Sequence, residues 1–467
     1  MSETTRRILF SCFVMVILAC LCLSAVALLS AVGLIVIQER QPGLNLPGVP
    51  SLSQTPTSPP AKQELSEAEI QAIMDQIQAQ VSALRQLEAR GDFKRALLTP
   101  EELRERVIND FLKDYTQEEA SHDTRALAAF GLLEADFDLL NFLLELYSEQ
   151  IAGFYDRETK EMYVVKGASF LGPERMTYAH EYTHALQDQN FDIEKGLNYS
   201  DEACEEDSER CAAIQALLEG DASLTEMSWL RANASRQERQ EIFEFYQTLE
   251  SPIYENAPEY MKADFLFPYE QGLTFVQTLY DQGGWEAVNQ AYANVPVSTE
   301  QILHPERYPA DKPIPVTLPD LSKTLGDSWE EISQGTFGEW YTYLLLCKGI
   351  DQTARLPERQ ARKAAEGWGG DAYTVYFNPT DNSIMLILTT TWDEAKDARE
   401  FFKAFEAYGD ARFGAATARQ PETITWSDGS SVSLLYWTET RTTWIMTPNM
   451  DMLNRIKSLI ESQSDVP

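Results

Sequence analysis

The chain has 467 residues, enough for about two or three domains of ordinary size. Its 38 Lys and Arg face 73 Asp and Glu, a formal charge of −35, which argues against nucleic-acid backbones and anionic lipid head groups as partners. With 44% hydrophobic and 11% aromatic residues, it is too apolar to be a disordered polymer.

The first segment reads as a tether. Residues 1–7 carry Arg6 and Arg7, and no residue from Ile8 to Ile37 is charged. At ~1.5 Å per residue this run exceeds the ~30 Å apolar core of a bilayer, so the pattern predicts a transmembrane helix over 8–37. The positive-inside rule then places 1–7 in the cytoplasm and the remainder outside, as a single-pass cell-membrane protein with the membrane as a partner. A signal peptide cleaved near Ala25-Val26-Ala27 is the rival, but it would leave ten further uncharged residues on the mature chain. Residues 38–63 hold six of the 22 prolines and no aromatic residue, the composition of a semi-extended stalk.

From residue 64 the pattern is helical. Ser66 with Glu69, Thr99 with Glu102, and Thr116 with Glu119 have capping-box spacing, the second with Pro100 at the first helical position. They predict helices near 66–89, 99–114 and 117–130, with a further one at 135–149. Residues 150–156 and 161–165 alternate apolar and polar around 157–160, which predicts a β-hairpin. Pro173 opens a helix to about Gln189. An acidic loop over 192–207 and a long helix over 208–232 follow, then helices near 236–249 and 268–282 and a Pro-rich connector at 305–319. Cys204 and Cys211, seven residues apart, could be bonded or free; Cys347, within an apolar run, reads as a buried thiol.

The tail has a different texture. Period-2 stretches at 373–377, 383–391, 423–426, 431–438 and 442–447 predict a mostly antiparallel sheet, with one helix capped by Asp393 and another at the end. The fold class is therefore α+β: a mainly helical domain over 64–320 with a small hairpin, and a C-terminal α+β domain over 321–467. That second domain could bind substrate, a protein partner or the helical half itself.

The chemistry sits in His180-Glu181-Tyr182-Thr183-His184. With only four histidines in the chain, chance placement yields ~0.005 such patterns. Residues four apart share one helix face, so both imidazoles can reach one Zn²⁺ while Glu181 points toward its water as general base. A catalytic zinc needs a third protein ligand. Glu219 follows the apolar run from Ala212 to Leu218, where an anion is costly unless paired or metal-bound, and Gly220 beside it permits close helix approach. Glu226, two turns further on the same face, is the alternative. His304, before Pro305, is a candidate donor to the oxyanion of peptide hydrolysis, with Tyr308 as an alternative. His122 reads as a surface histidine. The glycines of Gly367-Trp368-Gly369-Gly370-Asp371 read as a tight turn that packs Trp368 on the sheet.

The HExxH helix followed by a Glu on a later helix resembles the gluzincin layout of zinc metallopeptidases. Residues 179–192, Glu219-Gly220-Asp221-Ala222, Ser298–Pro305 and Gly367–Asp371 resemble a group of largely uncharacterised bacterial membrane-anchored zincin-like proteins. The resemblance implies a membrane-anchored, extracytoplasmic zinc metallopeptidase acting on a peptide or protein substrate; a non-catalytic binding module that retains the fold is the other expectation. It also implies an extended substrate laid along an edge strand, here Met162–Val165. Thermolysin-like members place an Asp four residues after the ligand Glu. That position is Ser223 here, which leaves Asp188 and Asp221 as candidates for the carboxylate that orients a zinc histidine.

Overall fold

Each capping box closes as its spacing requires. Ser66 and Glu69, Thr99 and Glu102, and Thr116 and Glu119 exchange the backbone and side-chain hydrogen bonds that start their helices. The computed structural model describes residues 65–464, apart from 92–93, 112–114, 151–152, 158 and 166–169.

In chain order the elements are α1 (Glu67–Arg85), β1 (Lys94–Leu98), α2 (Pro100–Phe111), α3 (Gln117–Phe130), α4 (Leu139–Gln150), β2 (Gly153–Asp156), β3 (Glu161–Val165), α5 (Gly172–Phe191), α6 (Asp201–Glu206), α7 (Ser208–Ala232), α8 (Arg236–Thr248), α9 (Pro252–Glu255), α10 (Glu259–Ala293) and α11 (Thr299–Leu303). The rest of the chain adds α12 (Ser322–Leu325), β4 (Glu330–Gly335), α13 (Gly338–Cys347), α14 (Glu358–Ala365), β5 (Trp368–Asn378), β6 (Ser383–Trp392), α15 (Ala395–Phe413), β7 (Ala418–Gln420), β8 (Thr423–Ser427), β9 (Val432–Thr438), β10 (Arg441–Thr447) and α16 (Met450–Ser464).

The structure corrects the expectation of a transmembrane helix and, with it, the single-pass placement in a cell membrane. Among the described residues no helix is long and apolar enough to cross a membrane, and residues 8–37 lie outside them, as does the stalk over 38–63. The longest helix, α10, carries Glu259, Lys262, Asp264, Glu270, Asp281 and Glu286. Each ionised group of this kind costs ~3 kcal/mol at a bilayer centre, so its length does not make it a span.

Ile70, Met74, Ile77 and Val81 form one stripe of α1 and pack against Met176, Ala179, Tyr182 and Leu186 of α5. Helix α5 also lies along α7, which crosses α10 at very short range. A Cβ on Gly220 would stand 2.2 Å from the Gly272 carbonyl oxygen, so only glycine permits the approach. Helix α10 is longer than the predicted 268–282 because Pro268 and the Gly283-Gly284 pair interrupt its local pattern without ending it. The non-helical backbone at those two glycines turns the second half, which carries Trp285 and Tyr292, toward α1 and α7.

The small sheet has the order β1-β3-β2, with β1 parallel to β3. The strand expected to form an edge, Met162–Val165, is therefore central. Strand β2 is the outer strand beside α5. Sequence reading missed β1 because Lys94-Arg95-Ala96-Leu97-Leu98 does not alternate apolar and polar residues.

The second sheet has the order β4-β5-β6-β10-β9-β8-β7, and its neighbours are all antiparallel. Alternation along its strands sends Tyr376, Met385, Ile387 and Ile445 to α16, and Tyr373, Val375, Leu388 and Trp444 to the face that holds α15. The largest core cluster runs through position 320. Phe130 at the end of α3 stacks on Phe337 at 4.4 Å and meets Tyr373 and Trp444 at 5.5 and 6.0 Å. Trp368 is fully buried, and Asp371 accepts from the Phe337 and Gly338 amides at 2.6 and 3.0 Å, satisfying the N-terminus of α13 from another strand. Cys204 and Cys211 are joined in a disulfide and Cys347 is a buried free thiol. Helix α15 takes Glu394 as its N-cap, with Asp397 accepting from the Glu394 amide, whereas Asp393 receives Arg307 at 2.5 Å.

Candidate metal centre

Helix α5 starts with Pro173 in its first turn and the Glu174 carboxylate accepting from the Leu171 amide at 2.9 Å. From that start, His180 and His184 fall on one face with ring centroids 4.8 Å apart. Helix α7 returns beside it after the 192–207 segment, which holds the short helix α6. Glu219 Oε2 lies 3.2 Å from His180 Nε2 and 3.4 Å from His184 Nε2. Ligand atoms of the three residues all lie within 4.8 Å of one another. His180 and Glu219 are fully buried, whereas the His184 side chain keeps 13% of its surface exposed.

Hydrogen bonds outside this triangle set the protons within it. Gln187 donates through Nε2 to the Leu218 carbonyl at 2.9 Å and to Asp221 Oδ2 at 3.3 Å, both pure acceptors. That fixes the amide orientation, so Oε1, 2.8 Å from His184 Nδ1, must accept a proton from it. In the neutral ring, His184 Nε2 then carries the lone pair. His180 Nδ1 faces Glu226 Oε2 at 3.2 Å, so a proton held there would leave its Nε2 lone pair directed inward in the same way. Two ring nitrogens and a carboxylate oxygen thus converge, and among the described residues neither His184 Nε2 nor Glu219 Oε1 meets a partner in hydrogen-bond geometry although both are buried. Burial disfavours the Glu219 charge, yet the two imidazoles hold its pKa down at about 2. Burial likewise opposes protonation of His184, and the Glu219 carboxylate overcomes it and raises that pKa. Burial pushes Glu226 up, against the pull of His180.

This donor set fits zinc. A tetrahedral centre with bonds of ~2.0–2.1 Å holds its ligand atoms roughly 3.3 Å apart, and the two Glu219–imidazole separations are 3.2 and 3.4 Å. Two neutral imidazoles and one carboxylate are also the donor types of catalytic zinc sites. Glu181, next to His180 and nearly fully buried, receives the Tyr155 amide of β2 on its Oε2 at 3.1 Å.

The remaining candidates have partners of their own. His304 closes α11 and pairs through Nε2 with Glu339 Oε1 at 2.8 Å. Tyr308 donates to the Asn294 carbonyl. Asp188 binds Lys160 and the Tyr155 hydroxyl, Asp221 reaches His184 only through Gln187, and His122 is half-buried. Glu226 is the carboxylate on the outer nitrogen of His180; its spacing of seven residues from Glu219, two turns on one face, was the available signal. Gln187 was legible too, one turn beyond His184. Tyr269, whose ring centroid is 6.4 Å from that of His180, has no marking in the local sequence. Glu300, Asp311 and Asp393 form a second acidic group, but Arg307 already occupies it at 2.5–3.2 Å.

A family model described as a domain of unknown function (DUF8575) matches residues 324–457. That stretch contains the seven-stranded sheet and excludes the residues around His180. No curated protein and no solved structure matches the chain.

Proposed function

We propose that the chain is a zinc-dependent peptidase of gluzincin type, in which His180, His184 and Glu219 hold the metal and Glu181 is the general base for hydrolysis of a peptide or protein substrate. The observation that carries the reading is the convergence of two imidazole nitrogens and a carboxylate oxygen, with Gln187 and Glu226 on the outer nitrogens of the two rings. With both inner nitrogens deprotonated, as metal binding requires, the set is repulsive in itself and becomes favourable around a cation. Bound zinc supplies Lewis-acid polarisation and lowers the pKa of a coordinated water toward ~7.

The chain's own groups supply the rest. Glu181 follows His180 on α5, so its carboxylate lies beside the metal position, and the Tyr155 amide holds one of its oxygens. It takes a proton from the attacking water and returns it to the departing amine. Burial of His180, Glu181 and Glu219 keeps bulk solvent from competing for those positions.

The test is zinc content together with hydrolysis of an unfolded protein by the full chain. One zinc per chain is expected in the wild type and in Glu181→Gln, and none in His180→Ala. Hydrolysis should drop ~10²–10⁴-fold in Glu181→Gln. Equal, chelator-insensitive hydrolysis by the wild type and Glu181→Gln would overturn the enzyme reading.

A further inference from the structure

Behind His184 lies a buried polar chain that ends far away in sequence. Gln187 Nε2 donates to Asp221 Oδ2, and Asp221 is clamped by Arg85, with Nε to Oδ1 at 2.6 Å and Nη2 to Oδ2 at 3.0 Å. The Tyr292 hydroxyl donates to the same Oδ2 at 2.6 Å, and the Trp285 ring lies 4.4 Å from the Arg85 guanidinium. Arg85, Gln187 and Asp221 are fully buried. Arg85 is the last residue of α1, and Trp285 and Tyr292 follow the Gly283-Gly284 kink of α10.

A buried ion pair is a poor device for stability alone, because desolvation cancels much of its attraction. This one stands directly behind the amide that sets the proton on a candidate ligand. We propose that Arg85 is a positioning residue of the metal centre: it fixes Asp221, which with the Leu218 carbonyl fixes the Gln187 amide, which holds His184 with its Nε2 lone pair toward the metal. The inference rests on the metal reading above and deepens it, since α1 becomes part of the site although it supplies no ligand. The chain of contacts explains why the two outer partners differ. His180 is backed by a carboxylate. His184 is backed by a neutral amide whose own carboxylate is already neutralised, so the centre gains orientation there without another unpaired charge.

The test uses Co²⁺ alone, titrated into the metal-free full chain, with visible absorption reporting coordination and chelator competition reporting affinity. The wild type should bind one Co²⁺ with a tetrahedral-type spectrum that His180→Ala abolishes. Gln187→Met and Arg85→Met should each lower affinity ~10–100-fold and alter the spectrum, with Arg85→Lys recovering part of the loss. Gln187→Met and Tyr292→Phe remove no charge, so they carry the test should Arg85→Met not fold. If Gln187→Met and Tyr292→Phe bind Co²⁺ as the wild type does while His180→Ala does not, the positioning role is wrong and the metal site stands. Unchanged binding by His180→Ala would instead remove the metal site, and this inference with it.

Discussion

Gly220→Ala tests the packing that brings the third ligand into place. The added Cβ would stand 2.2 Å from the Gly272 oxygen, 2.3 Å from its carbonyl carbon and 2.9 Å from the Leu273 nitrogen. Ordinary contact begins near 3.4 Å, so α7 and α10 must separate by about 1.2 Å, and backbone on the facing side leaves no flexible side chain to yield. Overpacking of this kind costs ~1–3 kcal/mol, and a backbone clash belongs at the upper end. Gly220 lies between Glu219 and Asp221, so the displacement acts on both the carboxylate and the chain behind His184. Metal sites tolerate only about ±0.2 Å in ligand distance, so metal affinity should fall at least tenfold in the folded protein. Thermal unfolding of the metal-free chain and Zn²⁺ competition with a chelator measure the two effects. Gly91→Ala, where nothing lies within 4 Å of the new Cβ, is the control. If Gly220→Ala matched the wild type in both measurements, the helices would not meet backbone to backbone at this point, and the argument that glycine places Glu219 would fail.

Glu226→Gln should weaken zinc ~10–100-fold without lowering the unfolding temperature of the metal-free chain, because it removes a carboxylate that burial already disfavours. Unchanged affinity would refute the assignment, and complete loss of metal would make Glu226 a ligand. Glu209, buried and bonded to Thr299, has its pKa pushed up to about 8 by burial, with Thr299 acting against the shift. Between pH ~4.5 and ~8 the folded state keeps a proton that the unfolded state has lost, so stability falls as pH rises through that window. Glu209→Gln should remove roughly 3–5 kcal/mol of this loss, leaving the variant more stable than the wild type at pH 9 but not at pH 4. Parallel unfolding profiles across that range would show that Glu209 is not held protonated in the folded state.

Several parts of the structure were legible because their causes are local. A capping box needs only four residues, and the three that the spacing marked all close. The His180–His184 spacing puts two imidazoles on one face of any helix, and the strands of the tail alternate as a two-faced sheet demands. The lone acid after Leu218, with glycine beside it, pointed to close helix approach for the same reason. Other parts had no local cause to read. Strand β1 exists because β3 accepts it as a parallel neighbour, so the strand expected at an edge is interior. His304 is drawn to Glu339 by α13, an element the hydropathy pattern did not reveal. The expected membrane helix falls outside the described residues, and the longest described helix is charged along its length.

The amino-acid sequence by itself determined which candidate groups are present and in what order: two histidines one turn apart with a glutamate between them, a second acid on a later helix, and a glycine to bring the two rods together. Only the tertiary structure decided which nitrogen of each imidazole faces inward, because that is set by partners with their own commitments elsewhere. Glu226 is 46 residues from His180, and Arg85 is 136 residues from the Asp221 that it clamps. Hydrogen bonds and buried ion pairs act over about 3 Å of space regardless of chain separation, so the tuning of the site appears only when the helices are packed.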